Sequence, residues 1–246
     1  MTTGNSAAMT VSVAGVAPPD LSSTVCQELD AKNKDERKKA IKELKPQADR
    51  KSQRAHTQAK GAGMTFSSAK VSVGIGGGSS IQGVATGCSS GKAREALSGS
   101  TVKGGTSEMQ TGKEKVLCEQ ANYTHSGGGS GSHGEAKVLN EMSQMAKDAG
   151  GSLQGGSVVF NVDWRYSRPD GGVCESGMPC RLCYRMMCAA QKCGIKISLC
   201  DASGKPQPFD PDDECDKEKA MDPSDDPYLK LDKRMGEDPL LGRGVL

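Results

Sequence analysis

The run Ser157–Asp163, Ser-Val-Val-Phe-Asn-Val-Asp, constrains this chain more than any other stretch. Apolar, β-branched residues this concentrated read as a short buried strand, and a buried strand needs cover. Helical patterns on either side supply it. Glu135, Ala136, Val138, Leu139, Met142, Met145 and Ala146 recur at helical spacing from His133 to Gly150-Gly151, a natural stop. Beyond the strand, Cys180–Lys192 has helical character and ends at Cys193-Gly194, and Lys196–Cys200 reads as another strand. Upstream, Ala69–Ile75 and Ile81–Thr86 alternate around Gly76-Gly77-Gly78-Ser79-Ser80, the pattern of a hairpin with a five-residue turn. The expected order is β-β-α-β-α-β, which places the chain in the α/β class.

How much of the 246 residues this domain occupies follows from composition. Only 35% of residues are hydrophobic and 3% aromatic, too little for the whole length to be packed core. The expectation is one domain at 62–204 between flexible N- and C-terminal segments. Residues 1–61 read as a leader followed by a basic helical arm or linker. A helix starts near Ser22-Ser23-Thr24 and breaks or kinks at Pro46, and Glu28–Lys60 carries a net +5, favouring a solvated linker helix over a specific nucleic-acid-binding arm. Residues 205–246 form an acidic, proline-rich tail, with a net −6 from Asp201 onward. Residues 87–132 are mostly Gly, Ser and Thr, with a short helix at Gly91–Leu97. No apolar run approaches the roughly 20 residues that span a bilayer, so no membrane partner is expected. The N-terminus has neither the basic nor the apolar region of a secretory signal. Gly74-Ile75-Gly76 begins like a dinucleotide-binding loop, but the sixth position is Ser79 and no strand-to-helix unit follows, which excludes that site.

Ten cysteines are unevenly spread, six of them between Cys174 and Cys200. With no visible signal, a reducing compartment is expected, where such a cluster reads as metal-binding or catalytic before it reads as crosslinks. Two motifs open the two helices: His133-Gly134-Glu135, and Pro179-Cys180-Arg181-Leu182-Cys183. A catalytic zinc takes three protein ligands and leaves a fourth position open, a count that His133, Cys180 and Cys183 meet. A helix N-terminus stabilises thiolates, and the spacing of three lets both sulfurs reach one ion. Glu135 then stands beside the metal as general acid/base without ligating it. Two other readings remain: a structural zinc site with Cys188 or Cys193 in which His133 only caps its helix, and a Cys-x-x-Cys redox pair. Cys188 and Cys193 otherwise read as small buried residues.

These motifs resemble the signature of the zinc-dependent cytidine deaminase superfamily, His-x-Glu followed by Pro-Cys-x-x-Cys. The resemblance covers roughly residues 65–204 and is greatest to the deaminase domains of bacterial polymorphic toxins. It implies a three-layer fold around a central mixed sheet, with Zn2+ as cofactor and Glu135 as proton shuttle. Backbone N–H groups near Gly134 and Cys180, with Pro179, would hold the base. The reaction implied is hydrolysis of cytosine to uracil in nucleic acid, DNA ahead of RNA. Such a toxin would leave its producer by a route without a signal peptide, act in a target-cell cytoplasm and be restrained by a cognate immunity protein; otherwise the protein is cytoplasmic. Adenine or free-nucleoside deamination and a non-catalytic zinc-stabilised binding module are the alternatives. The 47-residue step from His133 to Cys180 is long for the family, with the excess in Asp163–Met178. There Trp164 and Tyr166, with Arg165 and Arg168, form a candidate loop for base stacking and phosphate contact, unless Trp164 anchors the loop on the core. Tyr184 reads as packing.

Overall fold

The computed structural model describes residues 10–12, 23–75, 78–90, 93, 114–118, 121–124, 133–167, 173–179 and 181–209. In chain order they form β1 (Thr10–Ser12), α1 (Ser23–Leu44), α2 (Arg50–Lys60), β2 (Thr65–Gly74), β3 (Ser80–Cys88), β4 (Glu114–Cys118), β5 (Ala121–Thr124), α3 (Gly134–Asp148), β6 (Ser152–Ser167), β7 (Val173–Ser176), α4 (Arg181–Lys192), β8 (Lys196–Cys200) and β9 (Pro206–Pro208). The fold is α/β, with the order β-β-α-β-α-β carried by β2, β3, α3, β6, α4 and β8. The main sheet runs β1-β3-β2-β6-β8-β9, with β7 added to β6, while β4 and β5 pair separately. It is mixed: β6 and β8 are parallel and the other pairs antiparallel. A parallel pair needs a crossover, and α4 lies on the one from β6 to β8.

Strand β6 shows why there are helices on both faces. Successive side chains of a strand point to opposite sides. Val158, Phe160 and Val162 enter the main apolar core with Val138, Leu139 and Met142 of α3 and Met186, Met187 and Ala190 of α4. Val159 packs instead on Val25, Cys26 and Leu29 of α1. Asn161 and Asp163 also meet α1: Asn33 Nδ2 donates to Asn161 Oδ1 at 2.9 Å, and Arg37 Nε donates to Asp163 Oδ2 at 2.8 Å. The sheet is therefore sandwiched between α1–α2 and α3–α4.

Helix α1 ends at Leu44 because Pro46 cannot continue it. Helix α2 restarts behind Asp49, whose side chain accepts from the Ser52 N–H at 3.0 Å. The segment expected as a basic arm or linker is thus a packed layer, and β1, within the expected leader, pairs with β3. The sheet also continues past residue 204, since β9 pairs with β8 and Phe209 packs edge-on against Tyr184, ring centroids 5.2 Å apart. The remaining flanks, 1–9, 13–22 and 210–246, lie outside the described residues, as does the expected helix at Gly91–Leu97 apart from Ala93. Among the described residues, no helix is long and apolar enough to cross a membrane.

The cysteines depart from the expectation of a uniformly reduced set. Cys26 on α1 and Cys200 on β8 form a disulfide across 174 residues of chain. Cys188 and Cys193, buried on and just after α4, are also disulfide-bonded. Cys183 and Cys88 are buried and form no disulfide.

Candidate metal centre

Two helices begin side by side at one end of the sheet. His133 occupies the N-cap position of α3 in extended conformation, and its side chain makes no capping hydrogen bond. A purely capping role for this imidazole is therefore not what the fold uses. Glu135 follows in the first turn, only 2% exposed, and Cys183 lies in the first turn of α4, also 2% exposed. The Cys183 sulfur is 3.3 Å from His133 Nδ1. Ligand atoms of His133, Glu135 and Cys183 all lie within 4.8 Å of one another. These three residues make a group that can hold a metal ion.

The start of α3 is seated by the absence of a side chain at Gly134. A Cβ there would stand 2.8 Å from Ser67 Oγ and 3.0 Å from the carbonyl oxygen of Gly87, and a Cβ on Gly87 would in turn collide with the Gly134 carbonyl. This glycine pair lets the helix descend closely onto β2 and β3, bringing His133 and Glu135 to the end of the sheet. One turn on, the ammonium of buried Lys137 donates to the carbonyl of Cys88, tying α3 to the end of β3. Ser67, Gly87 and Lys137 were not among the sequence candidates. Ser67 was accessible from the alternation of β2, which puts it on the same face as Ala69, Val71 and Val73; the other two needed tertiary structure.

The remaining candidates separate. Pro179 is buried immediately before α4, while Cys180 lies outside the described residues. Trp164 and Arg165 are not in a loop. They extend β6 and pair with Ser176 and Glu175 of β7, so Asp163–Met178 is largely a hairpin. By strand alternation Trp164 shares the face of Val162 and Phe160, where it is half-buried against the main core. Arg165 takes the opposite face, with its Nε 3.7 Å from Asp163 Oδ1. The expectation was a loop carrying a stacking residue and phosphate contacts; in the strand the pleat puts Trp164 and Arg165 on opposite faces. Tyr166 continues the strand opposite Cys174, its side chain outside the described set, and Arg168 is outside it altogether. Tyr184 is buried, as its position after Cys183 suggested.

The donor chemistry suits a borderline-soft divalent ion. An imidazole nitrogen and a thiolate are zinc ligands, a carboxylate is a ligand or a neighbour that handles protons, and both helix starts favour negative charge. Comparison with known proteins adds nothing to this: no family model, no curated protein and no solved structure matches the chain.

Proposed function

We propose that the protein is a zinc-dependent nucleobase deaminase that hydrolyses cytosine to uracil in nucleic acid, DNA ahead of RNA. The observation that carries this reading is the meeting of His133, Glu135 and Cys183 within 4.8 Å at two adjacent helix starts. The order β-β-α-β-α-β and the Pro179-Cys180 step into α4 support it. His133 and Cys183, with Cys180, would hold zinc. When bound, zinc supplies Lewis acidity that makes water a competent nucleophile near neutral pH.

Everything else falls to the chain. Glu135, buried in the first turn of α3, takes a proton from the attacking water and delivers it to N3 of the base. Oxygen bonds to C4, the bond from C4 to the exocyclic nitrogen breaks, and Glu135 passes the second proton to that nitrogen. Cytosine and water become uracil and ammonia. The N–H groups at the start of α3, seated by Gly134, orient the base and its developing charge. Adenine is the runner-up substrate, since the same residues can serve attack at C6.

Ammonia release from a cytosine-containing single strand, followed by sequencing of the product, tests the proposal. Glu135→Ala should retain stoichiometric zinc and lose turnover by at least about 10²-fold, the usual scale of a positioned acid/base. Cys183→Ser should lose the metal. Zinc retention by wild type without ammonia release would leave a binding module. The reading extends to an effector toxin restrained by an immunity protein: expression alone should halt growth, and Glu135→Ala should relieve the arrest.

A further inference from the structure

We propose that the outward face of the α1–α2 pair binds the phosphate backbone of nucleic acid. The choice of nucleic acid rests on the deaminase reading; the surface itself rests on charge and packing. From Lys38 to Lys60 there are eight Lys or Arg and two acids, Glu43 and Asp49, and Asp49 is engaged as the cap of α2. Helix periodicity sorts these charges. In α1, Arg37, Ala40 and Leu44 are buried, so Lys38 and Lys42 project to solvent with Lys45 just beyond the helix. In α2, Ser52, Ala55 and Ala59 are buried, so Arg50 and Arg54 face outward.

The two halves of α1 treat charge differently. Near its start, Lys34 pairs with Asp30 at 2.7 Å and Lys32 with Glu36 at 3.2 Å, ordinary i,i+4 support. Among the described residues, no ion pair engages Lys42, Lys45, Arg50, Lys51, Arg54 or Lys60. Instead, like charges stand at i,i+4 in Arg50/Arg54 and in Lys38/Lys42, where Lys38 alone has an acid, Asp35, within 4.0 Å; like charges at this spacing disfavour a helix. A polyanion along this face converts that repulsion into attraction.

Position connects the face with the candidate centre. Ala40 and Leu44 of α1 and Ala55 and Ala59 of α2 pack with Met64, Phe66 and Cys88, at the start of β2 and the end of β3. That is the sheet end where Gly134 sits between Ser67 and Gly87. Just beyond α2, the Gly63 N–H donates to the Arg165 carbonyl at 2.8 Å, joining the helical pair to the β6–β7 hairpin. His133 lies on the opposite face of the sheet at this same end, so a strand lying on α1–α2 reaches it by passing around the end of β2 and β3. An anionic membrane would offer the same phosphates, but a helix seated in lipid presents large apolar side chains. Val84, on β3, is the large hydrophobic residue exposed among those described.

Fluorescence anisotropy of the zinc-loaded full chain with a 20-nucleotide single-stranded DNA tests this. Lys42→Ala, Arg50→Ala and Arg54→Ala together should weaken binding by at least about tenfold. They should also lower the slope of log affinity against log salt by about 2, at roughly 0.7 per lost phosphate contact. Lys147→Ala, Lys196→Ala and Lys205→Ala remove the same charge from exposed positions elsewhere and should change neither. Equal effects of the two triples, no effect of the first, or loss of binding only to phosphatidylserine vesicles would each overturn the proposal. Ammonia release is measured on the wild-type chain in parallel, so a wild type that binds DNA through this face but never releases ammonia sinks the deaminase reading and leaves the surface standing.

Discussion

The two faces of the sheet are built by different physics. Toward α3 and α4, Ala69, Val71, Val73, Phe160, Ile197 and Leu199 merge into one apolar cluster. Toward α1, the middle of the contact is polar. Arg37 donates to Asp163 Oδ2 at 2.8 Å, to the Asp163 carbonyl at 3.0 Å, to the Ala59 carbonyl at 3.0 Å and to the Met64 carbonyl at 3.2 Å. Its guanidinium also lies 4.5 Å from the Phe66 ring centroid. A single side chain thus joins α1, the end of α2, β2 and β6. Apolar burial is strong but tolerates sliding, whereas a planar fork satisfied on several sides allows one register. The face that carries the candidate centre is held by burial, and the face that carries the basic surface is located by direction.

Mutating one residue on each face separates the two kinds of packing. Phe160→Ala should cost about 3–5 kcal/mol, the range for truncating a buried aromatic. Arg37→Ala should cost a similar 3–5 kcal/mol, for a different reason: it strands the buried Asp163 carboxylate. Arg37→Lys should not restore it, because one ammonium cannot reproduce the fork. If α1 is integral to the domain, both variants melt in one transition shifted downward. A separate early transition in Arg37→Ala alone, seen by calorimetry, would make the α1 layer an independent unit.

The difference between the faces also explains what was legible in the sequence. Strand β8, the β2–β3 hairpin, and helices α3 and α4 were visible because apolar periodicity announces elements that pack by burial. The docking of α1 was not: its inward residues include Asn33 and Arg37, which look solvated until Asn161 and Asp163, more than 120 positions later, arrive as partners. Strands β1, β4, β5 and β7 are short and weakly patterned, and a chain rich in Gly and Ser hides them. The Cys26–Cys200 bridge was illegible because cysteine spacing does not encode connectivity. The juxtaposition of His133 and Cys183 could be anticipated from two motifs at two helix starts, whereas the glycine seat beneath them depends on packing.

Glu141 shows how the α3 layer treats a charge. It lies on α3, where burial raises its pKa from an ordinary 4.5 to about 7, and its Oε2 is enclosed with no hydrogen-bond partner among the described residues. The folded chain therefore holds this proton when the unfolded chain has released it. This group's contribution to stability is full below about pH 4.5 and is lost as pH rises toward 7. The displacement corresponds to about 3 kcal/mol, reduced where solvent reaches the carboxyl. Glu141→Gln should abolish that part of the pH dependence in denaturant titrations at pH 4.5 and 7.5. An unchanged pH profile would mean the carboxyl is solvated and this face is less closed than its core suggests.

The smallest expected effect on stability falls at the junction of the apolar face with the candidate centre. Gly134 needs no unusual backbone angle, so Gly134→Ala tests only the space between α3 and the strands. The added methyl would stand 2.8 Å from Ser67 Oγ and 3.0 Å from the Gly87 carbonyl, contacts that must be relieved by lifting the start of α3. Overpacking of this kind costs about 1–3 kcal/mol. Its effect on metal affinity should be larger than its effect on folding, because His133 and Glu135 flank the moved residue while the core around Met142 does not shift. Ser67→Gly in the same chain removes one of the two obstacles and leaves the backbone carbonyl. The double variant should therefore regain part of the stability and part of the affinity for a divalent metal ion, a coupling of about 0.5–3 kcal/mol expected for residues in contact. Metal affinity that is unaffected by Gly134→Ala would show that the seat of α3 does not set the ligand positions, and the candidate centre would have to be anchored from α4 alone.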